Sequence, residues 1–510
     1  MVVGMLGLLL PACSLDKFPT NQIVLEEAFQ TIEDAARFNT GLYNELRRNS
    51  HSIFIGTSEM MSDLFNARQE FGNRGGFPHR LQTDFMGSYE PRDIWGNVFG
   101  SIAQTNFFLD GIVNIVPETT AQREAIDNFI AEAHYIRAKL YSILATHFMY
   151  PYSVANRNVP ELGLPLLSTF DLHARPGRAT IAETFAFILA DLEAAKNINV
   201  DGAQNSTRIT RDAVYALKAR VHFMMGPDNR ALAAQYANAV IETGRYPLVT
   251  TEAALRTMWT RDQSTEDIFR LHVTATSFGT SAQGAGANWN DHTTWTTNNM
   301  QAFSFFNAGL NAYQPDFIPT QTVIDLYGTG DMRLGVFFSD PTEQMVHITV
   351  PHPGVRILYK FRGNTDINVM YRHFPRVARI AEMYLIAAEA GNSLVRLNEL
   401  REARGATPIA LGDFERELRN EWVREFVGEG FRIKSLRRWG AENPANALTH
   451  WGLNDGIRTP QDPTAVHNYG STEFTHRVVT PADFYRFTLP IPANDIRNNA
   501  NMRQTPSWVH

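Results

Sequence analysis

A single cysteine, Cys13, stands in a chain of 510 residues. That excludes a disulfide framework and a cysteine-rich zinc site. Outside the first residues there is no run of 18 uninterrupted apolar residues, and hence no sequence pattern for a membrane-spanning helix. Positive charge is not in excess: 46 Lys and Arg face 53 Asp and Glu, a net charge of −7. This argues against a nucleic-acid binder, which carries a basic face. Catalytic signatures are missing too, with no HExxH, GxSxG or phosphate-loop pattern. The glycines at Gly72, Gly75 and Gly76 lack the lysine of a phosphate loop and read as a surface loop. His347 and His352 are a poor metal pair. Asp262, Asp267, Asp291, Asp331 and Asp340 could help hold a calcium ion but show no EF-hand order, so no metal or cofactor is expected.

What is present is a large apolar content, 44%, with 19% charged residues, enough to bury a sizeable core and too apolar for a disordered chain. Val2 to Leu10 form a short apolar run ending in Leu10-Pro11-Ala12-Cys13. The run is too short to span a bilayer and suits the hydrophobic part of a signal peptide. Cys13 then sits where a bacterial lipoprotein carries its lipid, with residues 1–12 as the signal peptide. No Lys or Arg precedes the run.

Helical periodicity runs from about Leu25 to Arg48 and dominates to about residue 244. Phe129, Ala133, Ile136, Leu140 and Leu144 advance by four and three. Thr180-Ile-Ala-Glu183 reads as a capping box opening a helix. Asp228 reads as the cap of a helix that stops at Gly244. Helical pattern returns at 376–390, 394–403 and 413–427. Alanines at 131, 133, 138, 233, 234, 237 and 239 let helices approach closely, as in tetratricopeptide hairpins. No clean 34-residue period occurs, which predicts degenerate repeats. The expected fold is therefore mostly α, with degenerate tetratricopeptide-like hairpins forming a scaffold over about 25–48, 95–244 and 376–440. A loop-rich lobe with short strands, at Ile268–Val273, Val346–Val350 and Ile357–Phe361, covers about 50–93, 245–375 and 441–510. The absence of a linker makes residues 13–510 one unit.

Several segments stand out in order along the chain. They are Cys13-Ser-Leu-Asp-Lys-Phe-Pro19; Trp95 with Ile102, Asn106 and Ile112; Ala131-Glu-Ala-His-Tyr-Ile-Arg137-Ala138; and Arg178 through Asp191-Leu-Glu-Ala-Ala195. They continue with Thr210 to Val221, Arg379-Ile-Ala-Glu382 through Glu389-Ala390, Glu429-Gly430-x-Arg432 through Arg438-Trp439-Gly440, and Leu489-Pro490-Ile491-Pro492 with Asn499 and Gln504 to Trp508. Together they resemble the SusD/RagB family of Bacteroidetes outer-membrane lipoproteins. Ser435 stands where the family usually has Asp, and Trp422 where it usually has Arg. The resemblance implies a lipid-anchored outer-membrane protein facing the cell exterior. Such a protein captures a polysaccharide or oligosaccharide and passes it to a SusC-like TonB-dependent barrel, without catalysis and without nucleic acid. Its RagB branch implies a peptide ligand as the alternative. A helical-repeat adaptor with no small ligand is more distant, and a hidden glycosidase more distant still. Asp63, Asp84, Glu90 and Asp93 are carboxylates in the loop-rich N-terminal part, but a glycosidase needs two of them about 5–10 Å apart across a cleft, a distance that sequence does not carry.

Sugar capture needs aromatic faces for ring C–H surfaces and polar side chains for hydroxyls. Residues 276–302 hold that mixture: Trp289, Asn290, Asp291, Trp295, Asn298, Asn299 and Gln301. Indoles in a Gly/Ser/Thr/Asn loop have no amphipathic pattern to place them in a core. Phe71, Asn73, Arg74, Phe77 and Tyr89 form a second candidate group. Trp95, Trp259, Trp422 and Trp439 fall on helical or motif positions and read as structural.

Overall fold

The structure, a computed structural model, describes residues 28–51, 53–67, 78–79, 81, 87–198, 206–273, 303, 306–307, 312–313, 315–343, 345–347, 350–352, 354–361, 363–364, 369–370, 373–450 and 484–509. It is mostly helical. In the N-terminal half, α1 (Ile32–Arg48) and α2 (Ile53–Met60) lead to α3 (Tyr89–Ile112) and α4 (Thr120–Phe148). They are followed by α5 (Ile181–Ala194), α6 (Arg211–Met224), α7 (Arg230–Ile241) and α8 (Glu252–Arg261). Capping explains several starts. At Thr31, Thr119 and Thr180 the hydroxyl accepts the N–H three residues on, and that residue's side chain accepts the threonine N–H. The box read at Thr180 is one of these. Asp228 is not a cap. It lies in a short 3-10 turn, Pro227–Asn229, and pairs with Arg157 at 3.3 Å.

α2 falls in a stretch that sequence left irregular. Seven of its eight residues are buried, so it carries no polar stripe and periodicity cannot show it. Farther on come the short α9 (Gln321–Asp325) and α10 (Arg333–Phe337), then α11 (Ile380–Ala390), α12 (Leu394–Ala403), α13 (Phe414–Phe426) and α14 (Arg432–Glu442). The expected helix at 376–390 opens as a strand, Arg376–Arg379, pairing antiparallel with Asp267–Arg270. The expected strand at 357–361 reduces to a single bridge, Phe338 to Leu358.

α4 is the axis of the helical body and packs against α1, α3 and α5. α6 and α7 form a hairpin, α7 lies on α11, and α11 turns back as α12. Ala233 and Ala237 of α7 and Ala387 and Ala388 of α11 are buried. One large apolar core fills this body, and a second gathers Trp259, Phe303, Phe317, Phe337 and Phe361. α13 serves both: Leu418, Trp422 and Phe426 enter the first, Val423 and Val427 at its end the second. The closing segment 484–509, grouped by sequence with the loop-rich lobe, instead packs on the helical core through Phe487, Leu489, Ile491, Met502 and Trp508. Arg178 fastens it there, donating to Thr505 Oγ1 at 3.1 Å, and the Trp508 indole N–H donates to the Thr488 carbonyl at 2.7 Å.

Buried ion pairs tie these parts together. The Glu425 carboxylate accepts from Arg404 (2.9 and 3.0 Å), Arg379 (2.5 Å) and Arg333 (3.0 Å). Glu421 accepts from Arg333, Arg401 and Arg424 at 2.5, 2.9 and 3.0 Å. Glu266 accepts from Arg404 Nη1 at 2.8 Å and from Nη2, which it shares with Glu425, at 2.9 Å. Glu429 takes Arg379 and Lys360 at 2.7 and 2.6 Å. Burial alone would raise the Glu425 carboxyl, but the guanidinia of Arg404 and Arg379 outweigh it and hold it well below the usual range. Two glycines close the joint to α14. Gly428 and Gly430 have φ of +81° and +75°, a region that side chains avoid. The Gly430 N–H donates to Glu59 Oε1 at 2.6 Å.

Removing one partner of a buried ion network leaves charges unpaired, which costs about 3–5 kcal/mol. Glu425→Gln is expected to lower unfolding free energy by about that amount in denaturant titration. Glu59 is the opposite case, its carboxyl pushed up to about 7 by burial. Between the ordinary carboxylate value and 7 the unfolded chain releases a proton that the folded chain keeps, so stability falls as pH rises through that window. At about 1.4 kcal/mol per unit the loss approaches 3 kcal/mol. Glu59→Gln, which retains the oxygen facing Gly430, is expected to remove this slope from pH-dependent denaturant melts.

Candidate ligand-binding site

Two short strands form a floor. Phe65–Ala67 pairs antiparallel with Phe317–Pro319, Ala67 opposite Phe317. Past Ala67 the sequence enters 68–77, which holds Phe71, Asn73, Arg74 and Phe77. It is described again at Pro78 and His79. The His79 ring stands edge-on to Phe317 with centroids 5.4 Å apart, and its Nδ1 lies 2.9 Å from the Met60 carbonyl oxygen. Phe303 comes directly after 274–302. It is fully buried, 4.7 Å from Phe65 edge-to-face and stacked on Phe317 at 5.4 Å. Both candidate segments are therefore rooted on one aromatic floor made of Phe65, His79, Phe303 and Phe317. The other root of 274–302 is Val273, also buried. Beside it the His272 ring meets Phe374 at 5.1 Å and its carbonyl accepts from Arg47 at 3.1 Å.

The floor is rigid because it belongs to the second core. Below it Trp259 packs edge-on to Phe337 and Phe361, with the Arg376 guanidinium 4.5 Å and the Lys360 ammonium 4.7 Å from its ring. Lys360 is buried, which pushes it down to about 8, and Glu429 and two backbone carbonyls of residues 425 and 427 accept from it. On the far side of the same strand Ile318 joins Tyr313, Val355 and Ile357. There the Tyr359 hydroxyl donates to Tyr313 Oη at 2.8 Å and reaches the Glu343 carboxylate.

Of the residues singled out from sequence, Trp289, Asn290, Asp291, Trp295, Asn298, Asn299, Gln301, Phe71, Asn73, Arg74, Phe77 and Cys13 lie outside the described residues. Tyr89 is described: it opens α3 after Ser88 and is 39% exposed. Trp95, Trp259, Trp422 and Trp439 are buried, in keeping with their structural reading. Trp422, at the position where arginine was expected, keeps a donor there: its indole N–H gives a 2.7 Å bond to Glu389, which also accepts from Arg438 and Trp439.

The four described aspartates of those weighed as calcium ligands have other work. Asp262 and Asp267 pair with Arg376 at 3.2 and 3.0 Å, and Asp331 with Arg333 at 2.8 Å. Asp340 accepts from the Thr342 N–H and hydroxyl. Among the described residues no group of three His, Cys, Asp or Glu is placed to hold a metal. Asp63, weighed as a catalytic carboxylate, is buried against Arg432 at 2.6 Å. Sequence reasoning missed the floor itself, because its phenylalanines sit singly in short segments and carry no periodic signal.

Comparison with known proteins follows the same lines. Residues 334–508 match the SusD family, and residues 15–223 match the family described as starch-binding associating with outer membrane. The starch-binding protein SusD of Bacteroides thetaiotaomicron is 33% identical over 137 residues, a match covering 26% of this chain and 21% of that protein. Among solved structures, a SusD superfamily protein from Bacteroides vulgatus superposes with a TM-score of 0.71 at 20% identity, covering 94% of this chain and 100% of that one. The surface glycan-binding protein A from Bacteroides fluxus gives 0.68 at 19% identity, with 94% and 99% covered. A laminarin-binding SusD-like protein gives 0.66 at 20%, with 94% and 100% covered. The fold is thus the one those structures share.

Phe317 is the ring that Phe303 and His79 share. Phe317→Ala is expected to destabilise by about 3–5 kcal/mol, the usual range for emptying a buried phenylalanine site. A loss below about 1 kcal/mol in denaturant melts would show that the floor is not a packed unit.

Proposed function

The chain belongs to the SusD/RagB family, and we propose that it is a glycan-binding protein of the outer-membrane surface that captures a polysaccharide or oligosaccharide. Captured glycan passes to a SusC-like TonB-dependent barrel. Lipid on Cys13 tethers the protein to the membrane, which raises the local concentration of ligand at the transporter mouth. No bond is made or broken: the work is capture and release.

The observation that carries this reading is the shared root of the two candidate segments. The described residues that flank 68–77 and 274–302 meet in the floor of Phe65, His79, Phe303 and Phe317. One segment brings Trp289, Trp295 and a run of amides, the other Phe71, Asn73, Arg74 and Phe77. An indole laid on a pyranose face buries apolar area at little rotamer cost, and neighbouring amides answer the hydroxyls. A rigid root lowers the entropy lost when such groups close on a ligand. The names of similar proteins point the same way, one to starch, one to laminarin and one to surface glycans.

The test uses protein beginning after Cys13, run on native gels cast with starch, laminarin and other polysaccharides. Retardation in at least one glycan is expected, together with its loss in Trp289→Ala/Trp295→Ala with an unchanged melting temperature. No retardation in any of them, or retardation that the variant keeps, would contradict capture at these indoles.

A further inference from the structure

Away from the floor, two adjoining hollows open in the helical body. They enclose about 630 and 730 Å³ of empty space, solvent at the mouth included, and share Thr146, Arg220, Glu382, Phe431 and Lys434. Four helices meet here. α4 brings Lys139 and Thr146, α6 brings Arg220 and Phe223, α11 brings Glu382, and α14 brings Lys434 and Arg437. The charges do not balance. Glu382 is engaged by Arg220, whose Nε donates to it at 2.6 Å and whose second arm also reaches it. Glu429 serves Arg379 and Lys360. Arg376 and Arg379 are paired elsewhere. Among the described residues Lys139 and Lys434 form no ion pair. Arg437 donates only to the Met149 carbonyl, and its buried Nε has no partner. Three cations thus line the joined hollows, Arg437 the first, Lys139 the second and Lys434 both, and among the described residues none of them is in ion-pair contact with a carboxylate. Beside them Phe223 and Phe431 form an apolar wall, both stacked on Trp422.

We propose that this cleft binds a small oxyanion-bearing molecule, with Lys139, Lys434 and Arg437 holding its carboxylate or sulfate group and the phenylalanine wall covering its apolar body. An ammonium or guanidinium buried without a counter-charge is costly, and a ligand oxyanion supplies the missing acceptor. The same imbalance shows in the cations themselves. Burial pushes Lys434 down to about 8 and Arg437 to about 9, and it lowers Lys139 well below the usual lysine value, helped by Arg220 and Lys434. Glu382, the carboxylate that most offsets this for both lysines, is already held by Arg220, and Glu59, next in its effect on Lys434, is itself pushed up to about 7 by burial. This site is separate from the glycan reading and stands or falls without it.

The test is calorimetric titration of the full chain, at constant ionic strength, with sodium sulfate, sodium D-glucuronate and D-glucose. Binding of sulfate or D-glucuronate is expected, with none of D-glucose at this cleft. Lys139→Met/Lys434→Met should weaken the anion by about tenfold or more, since charge-assisted bonds are lost. Because methionine removes an unpaired buried charge, the ligand-free variant should melt no lower than the parent, which separates lost binding from lost folding. Absence of heat with both anions, or anion binding that the double variant leaves unchanged, would overturn the proposal. A variant that melts lower without ligand would also count against it, because the lysines would then have partners in the folded chain.

Discussion

The carboxylate of Glu425 is the point on which this molecule turns. It receives three guanidinium groups from Arg333, Arg379 and Arg404, drawn from a short helix, a strand and a helix end. None of these could be buried alone, since an isolated charge in the interior costs several kcal/mol. Together with Glu266, Glu421 and Glu429 they form a set in which each cation has an acid. The residue that gathers them sits on α13, whose neighbouring side chains feed both apolar cores. Position, rather than net stability, is what such a network contributes here: it fixes how the helical body meets the lobe that carries the aromatic floor.

The same logic explains what was legible in the sequence. The segments that carried the family resemblance turn out to be one another's partners. Arg137 takes Asp191 and Asn106, Arg220 takes Glu382, Glu389 takes Arg438, and Glu429 takes Arg379. Ion pairs that must be satisfied inside a scaffold demand particular residues at particular places, and so they leave a mark that can be read. Long amphipathic helices leave another, which is why the stretches at 32–48 and 414–426 stood out.

What was not legible has physical causes of its own. α2 is buried on nearly every side and shows no stripe. The floor is assembled from single phenylalanines at 65, 303 and 317, far apart in sequence, and no local pattern announces that they meet. The terminal segment looked like loop because its order comes from Arg178 and the Trp508 indole rather than from periodicity. The cationic cleft draws on four helices, and no local pattern announces that they meet. For the proposed ligand site, sequence offers the two segments, and the structure shows that the described residues flanking them, Phe65, His79 and Phe303, meet around Phe317.

Scaffold and site thus obey different rules. The scaffold is defined by paired charges and close-packed alanines. The most direct measurement is hydrogen–deuterium exchange of the protein with and without a polysaccharide that it retains. Glycan capture at the shared root predicts protection concentrated in peptides covering 65–79 and 273–303, with the helices around Arg220 and Lys434 unchanged. Protection confined to those helices, with none at the two rooted segments, would contradict it.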